Sequence, residues 1–183
     1  MKYCKRVILK NGVEAELRSA AVSDAEAVLD NFNQAHAETD FLLSYPGEKT
    51  FTVAEEADFL REKEESPDEV EIAAFIDGRI AGTAGINSVG HREKIQHRAE
   101  VGISILQEFW GLGIGRALME ACIECAENAG YSQLELSVVA DNQRAYALYE
   151  KLGFCEFGRN PRGFRSRTGE YQELVDMRLE LKQ

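Results

Sequence analysis

The apolar residues of this chain recur in two rhythms, one of period two and one near 3.6, and each segment shows one or the other. The stretch "VILKNGVEAELRSA" has the strand rhythm, interrupted at Asn11-Gly12. That dipeptide favours the tight turn of a hairpin, and the stretch is counted as one strand with a turn in it. "SDAEAVLDNFNQAHAE" switches rhythm, with Ala25, Val28, Leu29 and Phe32 at helical spacing. Ser23 with Glu26 three residues on reads as a capping box at its start. "DFLLSYPGEKTF" breaks the pattern at Pro46-Gly47. "TVAEEADFLREKEES" predicts a second, strongly acidic helix opened by Thr52 and Glu55 as a capping box.

Farther on, "EVEIAAFIDGRIAGTAGINSV" predicts two strands joined at Asp77-Gly78. "KIQHRAEVGISIL" predicts a longer strand, with Val101, Ile103 and Ile105 on one face and Glu100, Gly102 and Ser104 on the other. Then comes "EFWGLGIGRALME", with glycines at 111, 113 and 115. Ile114, Ala117, Leu118, Ala121, Cys122 and Cys125 continue as one helical stripe that Gly130 ends. "SQLELSVVA" alternates as a strand. "DNQRAYALYEKLG" predicts a short helix with Ala145, Leu148, Tyr149 and Leu152 on one side and Gly153 at its C-terminal cap. The tail predicts two strands around an arginine-rich connection.

This order is strand, two helices, three strands, helix, strand, helix, two strands. A strand–helix–strand unit demands a parallel pair with a right-handed crossover, and the hairpins around it are antiparallel. The fold class is therefore α/β: a mixed, mostly antiparallel sheet of about six to seven strands with helices on both faces. Residues 1–183 read as one domain.

Composition narrows the function. The chain has 183 residues, 44% hydrophobic and 29% charged, as a protein with a real core should. No apolar run nears the ~20 residues of a membrane helix, and the first residues carry too short an apolar run for a secretory signal. The expectation is a cytoplasmic protein without a membrane partner. A net charge of −11 argues against nucleic-acid binding. Cys122 and Cys125 form a C-x-x-C pair, but both fall on the apolar face of a helix with no second Cys/His pair. They read as buried free thiols, and no metal is expected.

The glycine turn between a strand and a helix is a ready anion site, because the first N–H groups of a helix are unpaired and the dipole adds positive character. The spacing G-x-G-x-G is not a dinucleotide fingerprint, and no Lys follows it as a P-loop requires. A phosphate cradle and a plain tight turn both fit. The segment "ADNQRAYALYEKLGF", one strand later, changes that. Together the two segments resemble the GNAT N-acetyltransferase superfamily. Its loop has the form Gln/Arg-x-x-Gly-x-Gly/Ala, matched by Trp110, Gly113 and Gly115. Its next helix has the form Asn-x-x-Ala-x-x-x-Tyr, matched by Asn142, Ala145 and Tyr149 before "KLGF". Trp110 departs from the pattern, since an indole stands where a polar or charged side chain is usual.

The resemblance implies acetyl-CoA, or another acyl-CoA, as co-substrate. Its pyrophosphate would sit on the backbone of Gly111, Leu112, Gly113, Ile114, Gly115 and Arg116. Its pantetheine arm would pair with Ile103, Ser104 and Ile105 where that strand and Leu134–Val139 splay apart, held by Asn142 beside Ala145. Asn142 also fits as a simple helix cap.

Acyl transfer from a thioester to a primary amine needs a deprotonated amine, a stabilised oxyanion and a protonated leaving thiolate. Tyr149 matches the tyrosine that many relatives use as general acid; a core tyrosine is the bland alternative. Backbone N–H groups near Ile105 would serve the oxyanion. Glu100 is the candidate base, since Ser137 holds the position other relatives give to a glutamate; a solvated face residue is its bland alternative. His36, His91 and His97 have no supporting motif. The acceptor site should draw on "DFLLSYP", the acidic helix and the loop "GRNPRGFRSRTGEY". Its cluster of Arg159, Arg162, Arg165 and Arg167 would meet an acidic group of the acceptor or cofactor, or stay solvated. The acceptor is a small-molecule or protein amine, and a homodimer is left open. A non-catalytic acyl-CoA-binding regulatory module is the alternative reading.

Overall fold

Alternation along "EVEIAAFI" is broken because both faces of that strand are covered. Val70, Ile72, Ala74 and Ile76 enter one core, while Ala73 enters another. The computed structural model, which describes residues 1–48 and 51–182, arranges eight strands in one sheet. They are β1 (Cys4–Ile8), β2 (Glu14–Ser19), β3 (Val70–Ile76), β4 (Arg79–Ser88), β5 (Arg98–Ile105), β6 (Gln133–Val139), β7 (Cys155–Arg165) and β8 (Tyr171–Glu180). Their spatial order is β1-β2-β3-β4-β5-β6-β8-β7. All neighbours are antiparallel except β5 and β6. The helices are α1 (Ala25–Glu38), α2 (Val53–Glu65), α3 (Ile114–Asn128) and α4 (Gln143–Lys151). On one face α3 packs the larger core through Leu118, Met119 and Cys122. On the other, Ala25 and Val28 of α1 meet Leu60 of α2.

The mixed sheet is as expected, with one strand more than the six to seven anticipated. The Asn11-Gly12 turn, with Gly12 at φ 82°, separates two full strands instead of interrupting one. Asp77-Gly78 closes the β3–β4 hairpin with φ of 49° and 81°, the two positive values a type I′ turn demands. At α2, Thr52 accepts from the Glu55 N–H at 3.2 Å and Glu55 accepts from the Thr52 N–H at 2.7 Å, a complete capping box.

Three expectations are corrected. Asp24, not Ser23, builds the entry to α1. Its carboxylate accepts from the Ala21 N–H at 2.8 Å and pairs with Arg18, so a 3-10 turn over Val22–Asp24 precedes the helix. The strand over "KIQHRAEVGISIL" starts only at Arg98, because residues 93–97 are spent on a turn. The arginine-rich segment is no loose connection: Arg159, Arg162 and Arg165 lie within β7. Pro161 is tolerated there because β7 is an edge strand and its register shifts between Asn160 and Phe164.

Cys122 and Cys125 are buried free thiols, and among the described residues no group of His, Cys, Asp and Glu could hold a metal. No helix among the described residues is long and apolar enough to cross a membrane. Burial pushes both thiols up, Cys125 to about 11, and pushes Tyr131 up to about 12. Groups that hold protons more tightly folded than unfolded stabilise the fold fully below their unfolded values and lose that contribution above them. The melting temperature should therefore stay level up to about pH 9, the thiols' ordinary range, and fall steadily toward pH 11. A flat thermal-melt profile to pH 11 would contradict this.

Candidate active site

Strands β5 and β6 begin as a pair and then part. Arg98, Ala99 and Glu100 pair with Gln133, Leu134 and Glu135, and no rung follows. The opening thus lies between the ends of β5 and Leu136–Val139, two residues later than the expected Leu134. A half-buried ion pair marks its edge: the buried Glu135 takes both Nε and Nη2 of Arg98, the latter at 2.7 Å. Backbone groups of alternate strand residues point to the same neighbour. The Leu106 N–H turns to Ala81 of β4 and the His97 carbonyl to Ser132 beside β6. By that alternation Ile103 directs its N–H and carbonyl into the opening.

A cavity of about 690 Å³ lies on one side of the opening. Ile103, Ser104, Ile105, Gly111, Gly113, Ile114, Gly115, Arg116, Asn142 and Ala145 all line it. Leu112 does not; its carbonyl accepts from the Lys10 N–H at 3.0 Å, which docks the β1–β2 hairpin on the glycine loop. Gly111 and Gly113 have φ of 82° and 98°, values open to glycine and costly for other residues. A Cβ on Gly115 would come within 3.1 Å of Ile105 and 3.3 Å of Leu148, so glycine lets α3 lie close against β5 and α4. The first helical bond of α3 is Ala117 N–H to Gly113, which leaves the N–H groups of Ile114, Gly115 and Arg116 ahead of the ladder.

Trp110 lies at the mouth of the loop and does more than pack. Its indole N–H donates to the Ile105 carbonyl at 2.8 Å, and the Arg144 guanidinium sits 4.8 Å from its ring. It ties the loop to the end of β5. Trp110→Phe keeps an aromatic ring, smaller than the indole, but orphans that carbonyl, a loss of about 1 kcal/mol. The melting temperature should drop by a few degrees, with CoA affinity held within a few-fold. A large loss of affinity at an unchanged melting temperature would contradict this assignment.

A second cavity, of about 620 Å³, meets the first at Tyr149, Asn142, Ile103, Phe41 and Leu42, which line both. Tyr149 is 7% exposed, and burial pushes its hydroxyl up to about 12. Among the described residues that hydroxyl has no hydrogen-bond partner, while its ring packs on Phe154 at 5.9 Å. Asn142 caps α4, its Oδ1 accepting from the Ala145 N–H at 3.2 Å. Glu100 is exposed and lines the second cavity. Ser137 lines it too and donates to Asp176 at 2.6 Å.

The two cavities differ sharply in charge. Lys10, Arg116, Arg144 and Lys151 line the first, against one acid, Asp141. Glu100, Glu135 and Asp176 line the second, with no Lys or Arg among the described residues around it. Of the segments expected at an acceptor site, residues 40–46 contribute Phe41, Leu42 and Leu43, whereas α2 lines neither cavity. The arginine cluster also stays outside both. Arg159 is held by Glu156 and Glu173, and Arg167 stacks on Tyr45 at 4.2 Å. His36, His91 and His97 line neither cavity.

A family model described as the acetyltransferase (GNAT) family matches residues 35–154. The chain belongs to the GNAT family. An acetyltransferase of that family from Streptococcus pneumoniae has a crystal structure that superposes with a TM-score of 0.88 at 30% identity, over 91% of this chain and 99% of that one. The L-amino acid N-acetyltransferase AaaT of Escherichia coli is 29% identical over 167 residues, 90% of this chain and 96% of its own. The structure of yncA from Salmonella typhimurium with its cofactor acetyl-CoA has the same fold, with a TM-score of 0.81 at 18% identity, over 91% of this chain and 94% of that one. This GNAT enzyme is thus an acetyl-CoA-dependent N-acetyltransferase by family.

The residues present fit such a co-substrate. The positive-φ glycines leave the backbone of the loop open to close approach, and four cations surround it in a protein of net charge −11. No sequence pattern assigns Lys10, Arg144 or Lys151 a binding role, although Lys151 opens the "KLGF" ending. Arg144 and Lys151 flank the Asn142–Tyr149 motif and carried a readable signal there; Lys10 reaches the loop only through the hairpin's docking.

Proposed function

We propose that the enzyme moves an acyl group from CoA to a primary amine by direct attack, with Tyr149 as general acid and Glu100 as general base. The observation that carries this is the charge division of the cleft: a cationic cavity and an acidic cavity that meet at a buried tyrosine. When bound, the acyl-CoA supplies an activated thioester carbonyl. Arg116, Arg144, Lys10 and Lys151 would neutralise its phosphates, although Arg116 also pairs with Glu120 at 2.8 Å. Ile103 would hold the arm through the backbone groups it directs into the opening. Asn142 would orient it while continuing to cap α4.

Glu100 lies on the acidic side, where an ammonium ion is favoured and must then lose a proton. Tyr149 holds its proton throughout the neutral range, since burial raises it well above the ordinary 10. That burial also makes the hydroxyl a weaker acid than a typical tyrosine. Tyr149 therefore acts by hydrogen-bonding to sulfur as negative charge develops there; the proton it passes to the leaving thiolate is replaced by the one the attacking nitrogen sheds, so the tyrosine ends the step protonated.

A thiol-release assay with acetyl-CoA over amino acids, aliphatic and aryl amines, polyamines and peptides tests the reading. Release of CoA with at least one amine is the expected result, together with a rise in melting temperature on adding CoA. AaaT, by its name, acetylates L-amino acids, so amino acids belong in the panel. Tight CoA binding with no release across the whole panel would favour the regulatory acyl-CoA-binding module instead.

A further inference from the structure

From the composition of the acidic cavity we infer that the acceptor is a primary amine with an aromatic or aliphatic body and no carboxylate, and that Asp176 is the counter-charge for its ammonium group. This rests on the N-acetyltransferase reading of the cleft and adds the acceptor's chemical class.

Three observations meet at this cavity. Its wall is apolar, built from Phe41, Leu42, Phe157, Phe164 and Leu174. Phe157 is 50% exposed, a large apolar surface that an acceptor's body would cover. The wall is also fixed in place. The Tyr45 hydroxyl accepts from the Arg167 N–H at 3.1 Å, and Gln172 donates to the Asp40 carbonyl at 3.3 Å. These bonds hold the segment carrying Phe41 and Leu42 against the β7–β8 hairpin.

The charged groups that line it are all acidic: Glu100, Glu135 and Asp176. Glu135 is neutralised by Arg98. Asp176 stands opposite Ser137 in the β6–β8 register, and the serine hydroxyl occupies one carboxylate oxygen, Oδ1, at 2.6 Å. That bond sets the carboxylate's orientation. No described residue donates to its other oxygen. Ser137 is thus a positioning residue, and the carboxylate stands one strand away from it.

The third observation concerns what is missing from the wall. No Lys or Arg among the described residues lines this cavity, and the arginines of β7 and its turn are engaged elsewhere. A carboxylate on the acceptor would lie beside Glu100 and Asp176, with the neighbouring cation, Arg98, already taken by Glu135. Like charges brought together in a partly desolvated site are a strong filter against the wrong ligand.

Phenethylamine, phenylalaninamide and phenylalanine share one aromatic body and one amine, and only the last has a carboxylate. Each is titrated calorimetrically into the full-length protein saturated with CoA. The first two should bind at least about 10-fold more tightly than phenylalanine. Asp176→Asn, which keeps an oxygen for Ser137, should weaken phenethylamine about 10-fold and narrow the gap to phenylalanine. An unchanged melting temperature shows that the variant is folded. Phenylalanine binding as well as phenethylamine, no binding by any of the three, or an indifferent Asp176→Asn would each overturn the inference. Thiol release in the same samples reports separately on catalysis. If the binding order holds without release, the acceptor site stands and the catalytic reading falls.

Discussion

Tyr149→Phe is expected to lower turnover about 100-fold, the low end of what a positioned acid contributes, while the affinity for CoA changes less than about threefold. The two effects separate because of where the hydroxyl lies. The ring, not the hydroxyl, makes the packing contact with Phe154, and the phenol oxygen has no partner among the described residues. Phenylalanine keeps that packing, so the melting temperature should hold or rise slightly. The pH profile gives an independent check. With its hydroxyl raised to about 12, Tyr149 does not ionise in the working range, so it should impose no alkaline fall in rate below about pH 10. Steady-state kinetics from pH 6 to 10 on both proteins measure this. Unchanged turnover in Tyr149→Phe would remove the residue from the mechanism.

Arg98→Ala should have the largest effect on stability. It leaves the Glu135 carboxylate buried without its partner, and breaking a buried pair from one side costs several kcal/mol. Arg98 keeps about a third of its side chain in water, which places the expected loss at about 2–3 kcal/mol, at or below the low end of the roughly 3–5 kcal/mol that a fully buried pair costs. For a domain of this size that is a fall of roughly 5–10 °C in melting temperature. The double variant Arg98→Met with Glu135→Leu should recover most of it, because neither charge is then stranded. Equal losses in the single and double variants would show that packing, not charge, is at stake. The pair spans the short paired stretch of β5 and β6, from Arg98 on its first rung to Glu135 on its last, so the single variant should also impair cofactor binding.

What the sequence made legible was local. The capping box of α2 and the Asp77-Gly78 turn involve residues within a few positions of each other, and both appear as expected. The glycine loop and the Asn142–Tyr149 helix were legible for the same reason. The features that give the two cavities their character were not. Glu135 meets Arg98 across 37 residues of sequence, and Ser137 meets Asp176 across 39. Each pair exists only through strand register, which no single-segment pattern contains. Trp110 shows the intermediate case. Its departure from the family pattern was visible, but its bond to Ile105 depends on how the loop folds back on the strand. The arginines of β7 and its turn misled in the opposite direction: clustered in sequence, they are dispersed among Glu156, Glu173, Tyr171 and Tyr45.

The strand order at the far edge of the sheet also governs when the site can come into being. β8 is made after the other seven strands, yet it inserts between β6 and β7 and does not simply extend the edge. Asp176 and Leu174 arrive with it, and only then does Ser137 gain its partner. A chain emerging from the ribosome can therefore assemble the glycine loop, α3 and α4 well before it has an acceptor side. Such non-local closure is slow by nature. In a nascent chain, the machinery for holding the co-substrate precedes the means of spending it.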